Sequence, residues 1–163
     1  MKGEGIQPRF LMRTHPIFAA VFTMLAAFLD AGATDYTTPK AGSELRKEIL
    51  DAVRVPAEKY FGERVVFELE ELRVADGYAF LHGKATQPDG KPIDYARSAE
   101  YKSDPQRKEL MRNGVLYGGV TALLKMKNKH WVVLEVTYDT GDVDWLEYDR
   151  KHGAPKSILP GSS

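Results

Sequence analysis

Glu71 and His82 are the two residues whose types and spacing could together carry acid–base chemistry. They lie on either side of Asp76-Gly77, which separates two strand-like runs and therefore predicts a two-residue β-hairpin. Pairing of the residues that flank this turn sets Glu71 opposite His82. A carboxylate that orients an imidazole is the arrangement of a general base, so His82 and Glu71 are our candidate catalytic residues. The alternative is a solvent-facing ion pair across the strands.

The same register predicts a small set of side chains on the face of Glu71 and His82. The apolar side chains fall at odd positions up to Leu69 and at even positions from Leu72, which predicts a bulge near Glu70 or Glu71. A bulge there could separate the candidate pair. The residues that share this face are our candidate ligand-binding residues: Arg73, Tyr78 and Phe80.

An acidic cluster near the C-terminus could hold calcium or supply a second carboxylate partner for His82. It comprises Asp139, Asp142, Asp144, Glu147 and Asp149. A calcium loop begun at Asp139 would need glycine at its sixth position and glutamate at its twelfth, and the sequence has neither. Helix capping already explains Asp142. We therefore expect no metal site and no cofactor.

Composition excludes several classes of protein. The chain has 163 residues and no cysteine, which removes thiol nucleophiles, disulfides and zinc ribbons. Twenty-three basic residues balance 23 acidic ones, so a broad nucleic-acid footprint is not expected. The sequence contains no dinucleotide-binding fingerprint, P-loop, zinc-protease motif or nucleophile elbow.

The first 33 residues have the pattern of a secretory signal peptide. Residues 1–16 carry three basic side chains, and the uncharged apolar run Ile17–Leu29 follows. Ala31-Gly32-Ala33 then predicts cleavage before Thr34. The run is shorter than the roughly 20 residues that span a bilayer. A retained anchor is the alternative, and translation could start at Met1 or Met12.

The part of the chain after the predicted cleavage site is predicted to contain a linker, residues 34–42, and one domain, residues 43–160. Ser43 caps a first helix that Pro56 breaks or kinks before it ends at Gly62. A short middle helix follows Asp104, and a second hairpin turns at residues 128–129 before a C-terminal helix. The order of elements predicts an α+β fold, with a curved antiparallel sheet of about four strands packed on the N-terminal helix.

Five short elements lie in the chain after Ser43: Tyr78-Ala79-Phe80, Leu123-Leu124-Lys125, Trp131-Val132-Val133, Asp142-Val143-Asp144-Trp145 and Gly153-Ala154-Pro155. In these elements, most of the chain after Ser43 resembles small uncharacterised bacterial secreted proteins. The shared elements are structural, so the resemblance implies no catalytic residue. The helix-then-sheet order resembles the cystatin-like or NTF2-like architecture, which implies a scaffold for inhibitors, binding domains and occasional isomerases.

These patterns favour a periplasmic or secreted domain that binds a protein or small molecule without catalysis. The first alternative is a small pocket enzyme, an isomerase or hydrolase, that uses His82 with Glu71 or with an aspartate near the last helix. The second is an envelope structural module tethered by an uncut signal helix. We expect no nucleic-acid partner, and no membrane contact after signal cleavage.

Overall fold

The computed structural model describes residues 35–140 and 143–161, which lie in one compact unit. The predicted signal peptide, residues 1–33, and the predicted helix cap Asp142 lie outside the described residues. No helix in the described part of the chain is long and apolar enough to cross a membrane.

The first helix, α1, spans Glu44–Phe61. Ser43 caps it by accepting a hydrogen bond from the backbone N–H of Arg46 at 3.3 Å, and Gly62 ends it with φ 75°. The helix continues through Pro56 as one element, although proline removes a backbone donor. Packing explains this continuity, because an apolar stripe on both sides of the proline is buried: Ile49, Val53, Ala57 and Phe61.

Four antiparallel strands form one curved sheet in the order β1-β2-β3-β4, which confirms the α+β class. The strands span Val66–Ala75 (β1), Tyr78–Thr86 (β2), Gly119–Lys127 (β3) and His130–Tyr138 (β4). The second hairpin turns at Asn128 and Lys129 with φ 51° and 65°. Positive φ at both residues is the geometry of a tight hairpin turn.

The register predicted for the first hairpin is confirmed. Ala75 pairs with Tyr78, and Glu71 pairs with His82. The register shifts between Leu69 and Glu71, so one extra residue lies in β1 as predicted.

A second bulge, in β4, was not predicted. Leu123 pairs with Glu135, whereas the next residue, Leu124, pairs with Val133. The extra residue of β4 changes its side-chain parity. Val133 and Val136 therefore both pack against the α1 side of the sheet, while Glu135 lies on the opposite side.

Short helices complete the chain. The predicted middle helix is α3, Pro105–Arg112, capped by Asp104, and an additional helix, α2, spans Ala99–Ser103. The predicted C-terminal helix is divided into a 3-10 turn, Asp144–Glu147, and α4, Tyr148–His152. Gly153 ends α4 with φ 69°, as expected.

The sheet is covered on both sides, and each side has its own apolar core. Residues of α1 fill the space against one side, which we call the helix face. Residues 143–159, the C-terminal segment, cover the other side, the outer face. The core of the outer face comprises Tyr78, Phe80, Leu123, Tyr148, Ala154, Ile158 and Leu159.

Residues 35–42, the described part of the predicted linker 34–42, lie against the edge of the sheet. Thr37 forms an antiparallel bridge with Val74, in which each N–H donates to the other carbonyl at 2.8 Å. Tyr36 packs against the outer-face core. The segment thus extends the sheet by one bridge.

Gly83 should be the least replaceable glycine of the sheet. A Cβ at this position would collide with the carbonyl oxygen of Glu68 and the Cα of Leu69, both of which are backbone atoms. We expect Gly83→Ala to lower the free energy of unfolding by about 2 kcal/mol or more, measured by urea denaturation.

Gly90→Ala is the matched control for Gly83→Ala. Gly90 has φ 80° and no atom within 4 Å of an added Cβ, so only left-handed strain of about 1 kcal/mol is expected. If Gly83→Ala and Gly90→Ala lowered the free energy of unfolding equally, the predicted collision at Gly83 would be wrong.

Candidate functional site

The 3-10 turn of the C-terminal segment exposes two apolar side chains. The N–H of Leu146 donates to the carbonyl of Val143 at 3.0 Å, which is the three-residue spacing of a 3-10 turn. Residues three apart lie on one side of such a turn, so Val143 and Leu146 project together. Val143 is 49% exposed and Leu146 is 58% exposed.

Trp145, between these two residues, holds the turn against the sheet. Its ring contacts Phe80 edge to face at a centroid distance of 6.0 Å and lies tilted against His82 at 5.6 Å. Aromatic contacts of this kind stabilise beyond simple burial. The turn therefore has one anchored side and one free side.

Tyr78 ties the end of α4 to the sheet. Its hydroxyl donates to the carbonyl of His152 at 2.8 Å. The Lys125 ammonium donates to the same hydroxyl oxygen at 2.6 Å and lies 4.4 Å from the ring centroid. Tyr78 is 7% exposed, so these bonds form in a largely dry environment.

Glu135 on β4 binds the C-terminal segment through charge. Its Oε2 accepts from Lys151 Nζ at 2.6 Å and from His152 Nε2 at 2.7 Å. Burial alone would raise the pKa of Glu135, but the hydrogen bonds from Lys151 and His152 outweigh it and hold that pKa below its ordinary value. Glu135 therefore stays ionised in the folded protein at neutral pH.

An open cleft of about 470 Å³ lies where these groups meet, and we call it the C-terminal cleft. Glu147 is bonded to Arg150 at 2.6 Å, and Glu135 is bonded as above. The Asp144 carboxylate has no ion pair within the described part of the chain. The cleft is lined by Glu135, Val143, Asp144, Leu146, Glu147 and Lys151.

Tyr148 follows the 3-10 turn and is buried in the outer-face core rather than in the wall of the cleft. The residue is 1% exposed, and among the described residues its hydroxyl has no hydrogen-bond partner. Burial raises the pKa of Tyr148, and the nearby charges of Glu135 and Asp144 raise it further. The hydroxyl therefore stays protonated, as a buried donor that the described chain does not use.

Glu71 and His82, the predicted catalytic pair, lie on the same face of the sheet, but their side chains do not contact each other. Glu71 Oε1 accepts from Arg73 at 2.9 Å, whereas His82 Nε2 lies 3.6 Å from Glu70 Oε2. The bulge explains the difference, because its extra residue brings Glu70 rather than Glu71 beside the imidazole.

His82 also contacts Thr121, which sequence reasoning had not singled out. His82 Nδ1 lies 2.9 Å from Thr121 Oγ1, which is the spacing of a base and a hydroxyl nucleophile. Thr121 is only 5% exposed, and His82 does not line the C-terminal cleft. The hydroxyl is therefore shielded from a substrate.

The predicted ligand-binding residues lie in the core or at the sheet edge. Phe80 is fully buried and Tyr78 nearly so. Arg73 lies 5.0 Å from the ring centroid of Tyr36 and bonds Glu71. These three candidates stabilise the outer face and its edge.

Sequence reasoning missed the exposed pair Val143 and Leu146. The sequence predicted one C-terminal helix that carries Val143, Trp145 and Leu146. Residues 144–147 instead form a 3-10 turn in which Trp145 packs inward while Val143 and Leu146 are exposed. The sequence from 143 to 147, Val-Asp-Trp-Leu-Glu, has no period that separates Trp145 from Leu146, so it gave no local signal of which apolar side chain is buried.

The described residues offer no metal centre, since no group of three His, Asp or Glu side chains converges in residues 35–140 and 143–161. Comparison of the chain with models of protein families, with curated proteins and with solved structures finds no match.

Protonation of Glu135 should control how firmly the C-terminal segment is held. Its depressed pKa means that the stabilisation is fully present above the ordinary value of 4.5 and is lost as pH falls through the lower folded-state value. We expect the free energy of unfolding to fall in that window. Glu135→Gln should remove this part of the pH dependence in urea unfolding between about pH 7 and pH 3.

Glu68→Gln is the control, because Glu68 pairs with Lys84 at 2.9 Å but is 54% exposed on the opposite edge strand. It should retain the pH dependence of the parent protein. If the free energy of unfolding of Glu135→Gln changed with pH as it does in the parent protein, Glu135 would not be the source of this pH dependence.

Proposed function

We propose that this protein is an exported, non-catalytic binding domain and that its binding site is the C-terminal cleft. The observation that carries the proposal is the exposed pair Val143 and Leu146 beside the unpaired carboxylate of Asp144. Exposed apolar side chains with a polar rim are typical of an interaction site.

Charge indicates the chemistry of the partner. Three carboxylates and one ammonium line the cleft, and Glu135 and Glu147 already have basic partners in this chain. The carboxylate of Asp144 can therefore bind a positively charged group of the partner. The best fit is a peptide segment of another protein that carries a basic side chain next to an apolar one.

Two features support binding over an enzyme centred on His82. The hydroxyl beside His82 belongs to the buried Thr121, and the wall of the C-terminal cleft does not include the imidazole. A catalytic base must reach the proton that it removes from a bound substrate. In this arrangement His82 stabilises the sheet and its contact with Trp145.

Two short peptides test the binding site. We expect acetyl-Leu-Arg-Leu-amide to bind the full chain more tightly than acetyl-Leu-Glu-Leu-amide, because only the first can pair with Asp144. Leu146→Ser should weaken binding by about tenfold through lost apolar burial. Asp144→Asn should remove the preference between the peptides. NMR shift perturbation measures both affinities.

Val55→Ser is the matched control, since Val55 is 73% exposed on α1 and outside the cleft. It should change neither affinity. The C-terminal cleft is not the binding site if the parent protein binds both peptides equally tightly. The same conclusion follows if Val55→Ser and Leu146→Ser lose the same affinity.

Export rests on the basic N-terminal region, the apolar run and Ala31-Gly32-Ala33. We expect the protein recovered outside the bacterial cytoplasm to begin at Thr34, as measured by intact mass. Full-length protein in the membrane fraction would instead support the tethered envelope module.

A further inference from the structure

A second cleft, of about 240 Å³, lies on the helix face of the sheet and opens to solvent. It is formed where the last turns of α1, the start of α2 and the end of β4 meet. Its apolar wall comprises Pro56, Ala99 and Val136 with the rings of Tyr60 and Tyr138. We call it the tyrosine cleft.

The two tyrosine rings form a fixed aromatic platform. They are stacked at a centroid distance of 4.1 Å and an interplanar angle of 17°. Phe61 supports both rings by edge contacts, at 5.0 Å from Tyr60 and 5.3 Å from Tyr138. Arg107 binds the Tyr60 hydroxyl and lies 5.4 Å from its ring centroid. A platform held on several sides loses little entropy when a ring packs on it.

Tyr138 contributes a polar group that the described chain does not use. Its hydroxyl is buried and has no hydrogen-bond partner among residues 35–140 and 143–161. Tyr95, in the same core, differs because its hydroxyl donates to Asp139 at 2.6 Å. A buried hydroxyl without a partner is costly, so a ligand that reaches Tyr138 would gain from bonding it.

Opposite charges line the same cleft. Lys59 lies in the last turn of α1, and Glu100 lies in the first turn of α2. Neither side chain forms a hydrogen bond or ion pair within the described residues. A ligand with one charge would pair with one of them and face repulsion or desolvation at the other.

From these features we infer that the tyrosine cleft binds a small zwitterionic aromatic molecule, of the class of free aromatic amino acids. The ring packs on the tyrosine platform and Val136. The carboxylate pairs with Lys59 and accepts a hydrogen bond from the Tyr138 hydroxyl, and the ammonium pairs with Glu100. This site is separate from the C-terminal cleft, which lies on the outer face. A negative result for the tyrosine cleft therefore does not affect the proposal of peptide binding in the C-terminal cleft, and the reverse also holds.

Three probes of one ring size separate the contributions of the two charges. L-phenylalanine carries both charges, 3-phenylpropionate lacks the ammonium, and phenethylamine lacks the carboxylate. We expect L-phenylalanine to bind the full chain at millimolar concentration and more tightly than either analogue. NMR shift changes should concentrate at the end of α1, in α2 and at the end of β4.

Charge variants then assign each end of the ligand. Lys59→Gln should weaken L-phenylalanine and 3-phenylpropionate about threefold, because exposed ion pairs are individually weak. It should bind phenethylamine at least as tightly as the parent does, because the repulsion between Lys59 and the ammonium is removed. Glu100→Gln should show the opposite pattern. Lys127→Gln, at the hairpin end of β3, is the matched control and should change none of the three affinities.

The inference is overturned if L-phenylalanine binds no more tightly than its analogues, or if Lys59→Gln and Lys127→Gln act alike. It is also overturned if the shift changes are spread over the surface. Thermal unfolding of each variant checks folding, since Lys59 and Glu100 are exposed and their substitutions should leave stability close to that of the parent.

Discussion

The burial of both faces of one four-stranded sheet is the constraint on which the rest of the structure depends. Phe80 and Leu123 on the outer face are as fully buried as Leu81 and Leu124 on the helix face. One helix covers only one side, so the chain must return to cover the other. The C-terminal segment does this through residues such as Tyr148, and the C-terminal cleft exists because that segment lies on the sheet.

Two bulges make this arrangement possible, because each changes the side-chain parity of a strand. The bulge in β1 brings Glu70 beside His82 and leaves Glu71 with Arg73. The bulge in β4 directs Glu135 to the outer face, where it binds the C-terminal segment. The contacts of Glu70 and Glu135 therefore follow from single inserted residues.

Asp139 connects the ends of the strands on the side of the tyrosine cleft. Its Oδ1 accepts from the backbone N–H groups of Gly118 at 2.9 Å and of Tyr117 and Gly119 at 3.0 Å, and Tyr95 donates to its Oδ2. Hydrogen bonds to an ionised acceptor are strong when shielded from water. They hold β3 and β4 together beside Tyr138, so the rim of the cleft is built on fixed backbone.

The sequence by itself determined the elements whose signals are local. The caps of α1, the Asp76-Gly77 turn, the register of β1 and β2 and the first bulge all follow from residues close together in the chain. Only the tertiary structure decided that Trp145 packs inward while Leu146 stays exposed, and which buried hydroxyls lack a partner. These outcomes depend on contacts between distant residues, and a local pattern does not encode which distant surface will cover a side chain.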